Sequence, residues 1–268
     1  MTNKMPRREH YVPRTDGRVY YYNVGVGEPV IFLHNIELSS FIWDKVIHHF
    51  AGHFNCYALD LPGHDHSDIP DQQYWVQDFA RSVIDVMDNA GIMQASIVGS
   101  RGGSMIGLEL AATYPDRVSK LVADGLPYWN PRQGLSVWEN FFSHLFTDTT
   151  PDGIPVKPIL PWEEAFEKNP WLDREHWERE LEIRRRSRRW ITLSLEALTK
   201  YDVESTGKKT KAPVLLIYGE NDPLRRGETR ATEDIEGSVH KLVPDSSGPH
   251  WDQPDQFANL AIPFLQSG

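Results

Sequence analysis

The sequence predicts a single α/β domain: a mostly parallel central sheet with helices on both faces and a helical lid inserted over a pocket. Three observations carry this. Short β-branched and aromatic runs alternate with stretches of helical apolar spacing, the pattern of strand–helix–strand units. The 268 residues, 40% hydrophobic and 25% charged, can enclose one large core and are ordinary for a globular chain. From about residue 128 to 211 the rhythm changes: Trp129, Trp138, Trp162, Trp171, Trp177 and Trp190 fall there, six of the nine tryptophans. Residues 151–161 of that stretch are proline-rich, and the residues after them have helical character.

In chain order, strands are expected at residues 18–23, 30–33, 55–59, 95–98, 120–123, 214–218 and 240–243, each a short apolar or aromatic run. Helices are expected at 75–90, stopped by Gly91, and at 104–114, stopped by Pro115. Residues 1–127 and 212–268 then form the core, and 128–211 the lid, within one structural domain. An insertion between two sheet strands explains the change in composition better than a second domain does.

Charge and cysteine usage narrow the function. A net charge of −10 and a pI near 5.5 repel phosphate backbones, so no nucleic-acid partner is expected. The basic run Arg184-Arg185-Arg186-Ser187-Arg188-Arg189 comes after Glu175, Glu178, Glu180 and Glu182, and helical neighbours three and four apart offset it. Cys56 is the only cysteine, so no internal disulfide forms, and its apolar strand predicts a buried thiol. Without a signal-like apolar stretch or a run of about 20 apolar residues, a cytoplasmic protein with no membrane partner is expected. The expected partner is a small-molecule substrate; a homodimer is compatible with the sequence, and no cofactor is expected.

Several short motifs then stand out. Leu33-His34-Asn35 comes after a strand, Asp60-Leu61-Pro62-Gly63-His64 after the next, and Val98-Gly99-Ser100-Arg101-Gly102-Gly103 joins a strand to a helix. Downstream lie Tyr114-Pro115-Asp116-Arg117-Val118, Tyr218-Gly219-Glu220-Asn221-Asp222-Pro223 and Pro254-Asp255-Gln256-Phe257. In this order and spacing, from about residue 18 to 265, the set resembles the landmarks of the α/β-hydrolase fold. The nearest resemblance is to lid-bearing members such as haloalkane dehalogenases, epoxide hydrolases and carbon–carbon bond hydrolases. That implies a fold, while the chemistry belongs to the site.

In that family the nucleophile stands at the centre of G-x-nucleophile-x-G, on a strained strand-to-helix turn. Here the gap-free match, Gly99-Ser100-Arg101-Gly102-Gly103, centres on Arg101, which stays protonated and cannot be a nucleophile. Counting back from Tyr114-Pro115 reaches the same residue, whereas Ser100 needs a one-residue slip. The resemblance places the catalytic histidine about seven residues before Pro254, where Ser247 stands; His250 comes three later. Asp222 matches the triad carboxylate. Two readings stay open: a degenerate triad, or local shifts that gather Ser100, Asp222 and His250 into a displaced one.

A cation at a helix start is unfavourable by up to about 1 kcal/mol unless an anion compensates. Asp222 can do so, and so can a substrate carboxylate gripped by the fork of Arg101. His34, Asn35, Gly102, Asp124 and Trp129 are candidates for substrate or oxyanion contacts. For His34 the plainer reading is a packed structural histidine, and for Asp124 a residue bonded to local backbone. In some relatives, cofactor-independent dioxygenases of the fold included, the triad acid lies near the place of Asp124. His64, Asp65 and His66 are a weak ligand set without a third anchored partner, so no metal is expected.

Two functions compete. The first is an enzyme acting on a small carboxylate- or carbonyl-bearing substrate through a non-standard site, hydrolase-like or of lyase or cyclase type. The second is a catalytically inactive homologue that binds a small ligand or a protein partner. With Ser247 at the base position, Arg101→Ser is expected not to create esterase activity.

Overall fold

Residues such as Ile31, Phe32 and Leu33 offer no polar face to water, and they end up in the middle of a sheet covered on both sides. The computed structural model describes residues 6–158, 160–168 and 174–267. In chain order the strands are β1 (Arg8–Arg14), β2 (Gly17–Val24), β3 (Pro29–Leu33), β4 (Asn55–Leu59) and β5 (Ala95–Ser100), then β6 (Val118–Asp124), β7 (Asp148–Thr149), β8 (Pro155–Val156), β9 (Val214–Gly219) and β10 (Val239–Val243). The helices are α1 (Ile47–Ala51), α2 (Val76–Asn89), α3 (Gly102–Thr113), α4 (Pro131–Val137) and α5 (Trp162–Lys168), then α6 (Arg174–Lys200), α7 (Val203–Gly207), α8 (Glu228–Asp234), α9 (Pro249–Asp252) and α10 (Pro254–Gln266).

Eight strands form one sheet in the order β1-β2-β4-β3-β5-β6-β9-β10. All pairs are parallel except β1–β2 and β2–β4. The two-residue pleat divides the core: Ile31, Leu33, Ile97, Leu121 and Leu216 pack with α2 and α3, while Val30, Phe32, Val98, Val122 and Leu215 pack with α1 and α10.

Apolar patterning misses β1. This strand pairs antiparallel with β2 from Arg8↔Asn23 to Arg14↔Gly17, at the sheet edge. Its charged residues and Pro13 suit an edge, where one side of the backbone needs no partner, and they hide it from a search for apolar runs.

Between β6 and β9 the chain leaves the main sheet for residues 125–213. This insert holds α4–α7 and also the short antiparallel pair β7–β8, whose strands of two residues carry no readable periodicity. Its 27-residue α6 is docked on the core by Trp190 Nε1–H, which donates to Pro62 O at 2.8 Å. Gly63, at φ +83°, makes room: a Cβ there would lie 1.8 Å from Trp190 Nε1. The basic run of α6 is paired, Arg184 with Glu180 at 2.5 Å, Arg188 with Asp148 at 2.5 Å and Arg189 with Asp152 at 2.8 Å. Trp171 lies outside the described residues. Among those described, no helix is long and apolar enough to cross a membrane.

Candidate active site

β5 ends at Ser100 and α3 begins at Gly102, so Arg101 makes the turn alone. Its φ of 50° and ψ of −109° lie where non-glycine residues persist only if the surroundings impose it. Two glycines allow the tight approach: a Cβ on Gly99 would fall 2.5 Å from Gly103 O, and one on Gly103 2.1 Å from Leu33 O. Arg101 N–H donates to Asp124 O at 2.8 Å, and Ser104 Oγ–H reaches both Gly99 O and Asp124 O. The elbow is therefore intact, with a guanidinium at its apex.

On the other side of the site, α9 carries His250 against Trp43 and Phe257, with ring centroids 5.0 and 6.3 Å away. His250 Nδ1 is hydrogen-bonded to Asp124 Oδ2. An ionised carboxylate only accepts, so Nδ1 carries a proton, and the free lone pair of the neutral ring falls on Nε2. Two expectations are corrected here. The partner of His250 is Asp124, not Asp222, because β6 neighbours β5 and pairs Asp124 with Ser100 in register. Asp222, on the turn after β9, instead lies 3.5 Å from Arg101 Nη2. Nor does Ser247 take the histidine's place. Its carbonyl accepts from Arg101 Nη2 at 3.0 Å, and its N–H donates to Asp252 Oδ2 at 2.7 Å.

Arg101, Ser100 and His250 line one cavity of about 640 Å³, to which the insert contributes Lys157 and Arg184. That volume is ordinary for a small-molecule site. The Arg101 guanidinium is bonded through Nη2, and the residue lines the cavity. Burial pushes the Asp222 carboxyl up, and the Arg101 charge opposes this only in part. The Asp222 contact is a long one, 3.5 Å from Nη2. Glu37 behaves differently: burial would raise it, but Lys157, which it bonds, and Arg184 outweigh that and hold it near 2.

A sequence profile described as the alpha/beta hydrolase fold matches residues 28–255. The chain belongs to the α/β-hydrolase family. Epoxide hydrolase 4 of Mus musculus is 24% identical over 96% of this chain and 79% of its own length. The 2-hydroxy-6-oxo-6-phenylhexa-2,4-dienoate hydrolase of Comamonas testosteroni is 26% identical over 94% of this chain and 92% of its own. The solved structure of E-2-(acetamidomethylene)succinate hydrolase superposes with a TM-score of 0.79 over 98% of this chain and 100% of that one. At 17% identity this is a likeness of fold.

Other candidate residues of this α/β-hydrolase divide between two cavities and the core. Asn35 lines the main cavity and a smaller chamber beside it; Gly102 and Trp129 line the smaller chamber alone. His34, expected among the substrate contacts, is buried behind the site. Its Nε2 accepts from Leu61 N–H at 2.9 Å, and burial drives its pKa down to about 3, so it braces a loop in neutral form. Ser100 Oγ is buried and has no hydrogen-bond partner among the described residues, so Ser100, Asp222 and His250 are not gathered into a displaced triad. Asp60, Asp65 and His66 bring ligand atoms within 4.8 Å of one another, but Arg179 already occupies Asp65 Oδ2. Sequence reasoning missed Glu37, Lys157 and Arg184 as cavity residues, and no motif marks them. The Asp124–His250 pair had a signal: an acid at the end of the strand after the elbow strand.

Proposed function

We propose that this α/β-hydrolase is a working enzyme for a small carboxylate- or carbonyl-bearing substrate, using His250–Asp124 as a general base and no covalent nucleophile. The observation that carries the reading is the histidine held by a buried carboxylate on a cavity wall, with an arginine at the elbow. Asp124 sets the tautomer of His250 and stabilises the imidazolium that forms when Nε2 takes a proton. Arg101 holds the oxygen on which negative charge develops. When the proton comes from water, the resulting hydroxide attacks the carbonyl, and the outcome is hydrolysis, the reaction class of the similar hydrolases. A second reading has His250 take the proton from the substrate itself, in lyase or cyclase chemistry; Arg101 favours it, since a guanidinium suits an enolate oxygen. An inactive ligand-binding homologue would have no use for a buried His–Asp pair, which is costly to desolvate.

The test is a screen of small esters, lactones and enolisable keto acids by proton release and product analysis, repeated on His250→Gln and Arg101→Gln. His250→Gln should lower turnover by about 10²–10⁴-fold. Arg101→Gln should weaken anionic substrates more than neutral ones. Turnover that survives His250→Gln, or a covalent adduct on Ser100, would overturn the proposal.

A further inference from the structure

Beside the main cavity lies the second chamber, of about 150 Å³. The two share Asn35, Glu37, Arg101, Leu145, Lys157 and Pro223, so the polar groups around Arg101 form a common wall. Beyond that wall the chamber turns apolar: Met105, Phe142, Leu195 and Leu198 are all buried side chains that line it. The polar atoms that remain are engaged elsewhere. Trp129 Nε1–H donates to Leu198 O at 3.4 Å, and Thr199 Oγ1–H to Glu196 O at 2.9 Å. Gly102 keeps the space open on the elbow side, packed so closely that a Cβ would fall 2.8 Å from both Ile36 and Leu198.

We infer that this chamber is a side pocket for a benzene-sized apolar group, carried by the same molecule whose anionic or carbonyl head Arg101 holds. The inference rests on the proposed role of Arg101 and narrows the substrate to acids or ketones bearing an aryl or a short branched alkyl arm. Volume and lining both point there. A cavity of about this size with apolar walls stays dry and accepts benzene, and the walls away from Arg101 are of that kind. An arm that leaves water for such walls gains affinity in proportion to the area it buries. The polar head stays at the shared wall, where the charged side chains are, since the deeper side-chain donors Trp129 Nε1–H and Thr199 Oγ1–H are already bonded.

Calorimetric titration of the whole protein with acetate, phenylacetate and neutral benzene separates the possibilities. Phenylacetate should bind about ten- to a hundredfold more tightly than acetate. Leu195→Phe, which fills the chamber, should bring phenylacetate down toward acetate. Leu195→Ala, which enlarges it, should admit 2-naphthylacetate more tightly than the wild type does; thermal melts confirm that both variants fold. Benzene binding without binding of either anion would keep the chamber and overturn the role of Arg101. Equal affinity for acetate and phenylacetate, with no benzene binding, would overturn the chamber and keep Arg101.

Discussion

Arg101 has the backbone of a nucleophile and carries a guanidinium in its place, and the consequence can be measured without knowing the substrate. The wild type should hydrolyse p-nitrophenyl acetate poorly and resist a fluorophosphonate probe. Because His250 Nδ1 is held by Asp124 and both His250 and Arg101 line the cavity, Arg101→Ser would set a hydroxyl before a waiting base. Esterase activity should rise by about 10²-fold or more, with labelling at residue 101. Adding Asp124→Asn should return both to background. This reverses the expectation drawn from Ser247, since spacing alone placed no base there. Persistent inertness of Arg101→Ser would mean that His250 cannot reach the elbow. At the same scale, His34 should make the fold acid-sensitive. Burial takes it down to about 3 from 6.5, so as pH falls the unfolded chain binds the proton first. Stability is therefore lost from about pH 6.5 downward, at up to ~1.4 kcal/mol per pH unit for this group. His34→Gln should flatten that slope in urea titrations between pH 7 and pH 5, and an unchanged slope would count against a buried neutral histidine.

Among the elements, the strand–elbow–helix unit depends on glycine where backbone meets backbone. Gly103→Ala would drive a Cβ to 2.1 Å from Leu33 O, where neither partner is a flexible side-chain end. A loss of about 3 kcal/mol is expected in chemical denaturation. Gly91, at φ +70° after α2, is the control: nothing lies within 4 Å of its Cβ position, so Gly91→Ala should cost only about 1 kcal/mol, from backbone strain. Similar losses at the two sites would show that φ rather than crowding decides. Both glycines were legible as residues, Gly91 as a helix stop and Gly103 as part of the elbow motif. What crowds Gly103 was not, because Leu33 is seventy positions away in the chain.

At the scale of the molecule, the insert is joined to the core by few polar contacts along α6. Arg179 pairs with Asp65, Trp190 bonds Pro62, and Gln73 Nε2–H donates to Leu193 O at 3.1 Å. Removing Arg179 should loosen the first half of α6 while leaving the sheet intact. Amide exchange over residues 174–185 of Arg179→Ala should quicken about tenfold, with β3 and β5 unaffected. Uniform quickening would mean that insert and sheet open as one cooperative unit.

The inner strands of the sheet, the helices α2 and α3 and the elbow arise from signals local in the chain: period-two and continuous apolar runs, and glycine spacing. Short-range geometry generates those signals, so short windows report them. The edge strand β1 escaped because an edge needs no apolar run. The site is another matter. Which carboxylate meets His250 depends on strand order, since β6 lies beside β5 and β9 lies one place further out. Spacing along the chain singled out Asp222, and sheet topology delivered Asp124. The cations of the insert, Lys157 and Arg184, reach the cavity only after more than fifty residues of excursion from Arg101. Chain-local patterns carry no information about such distant approaches, and tertiary packing alone decides them.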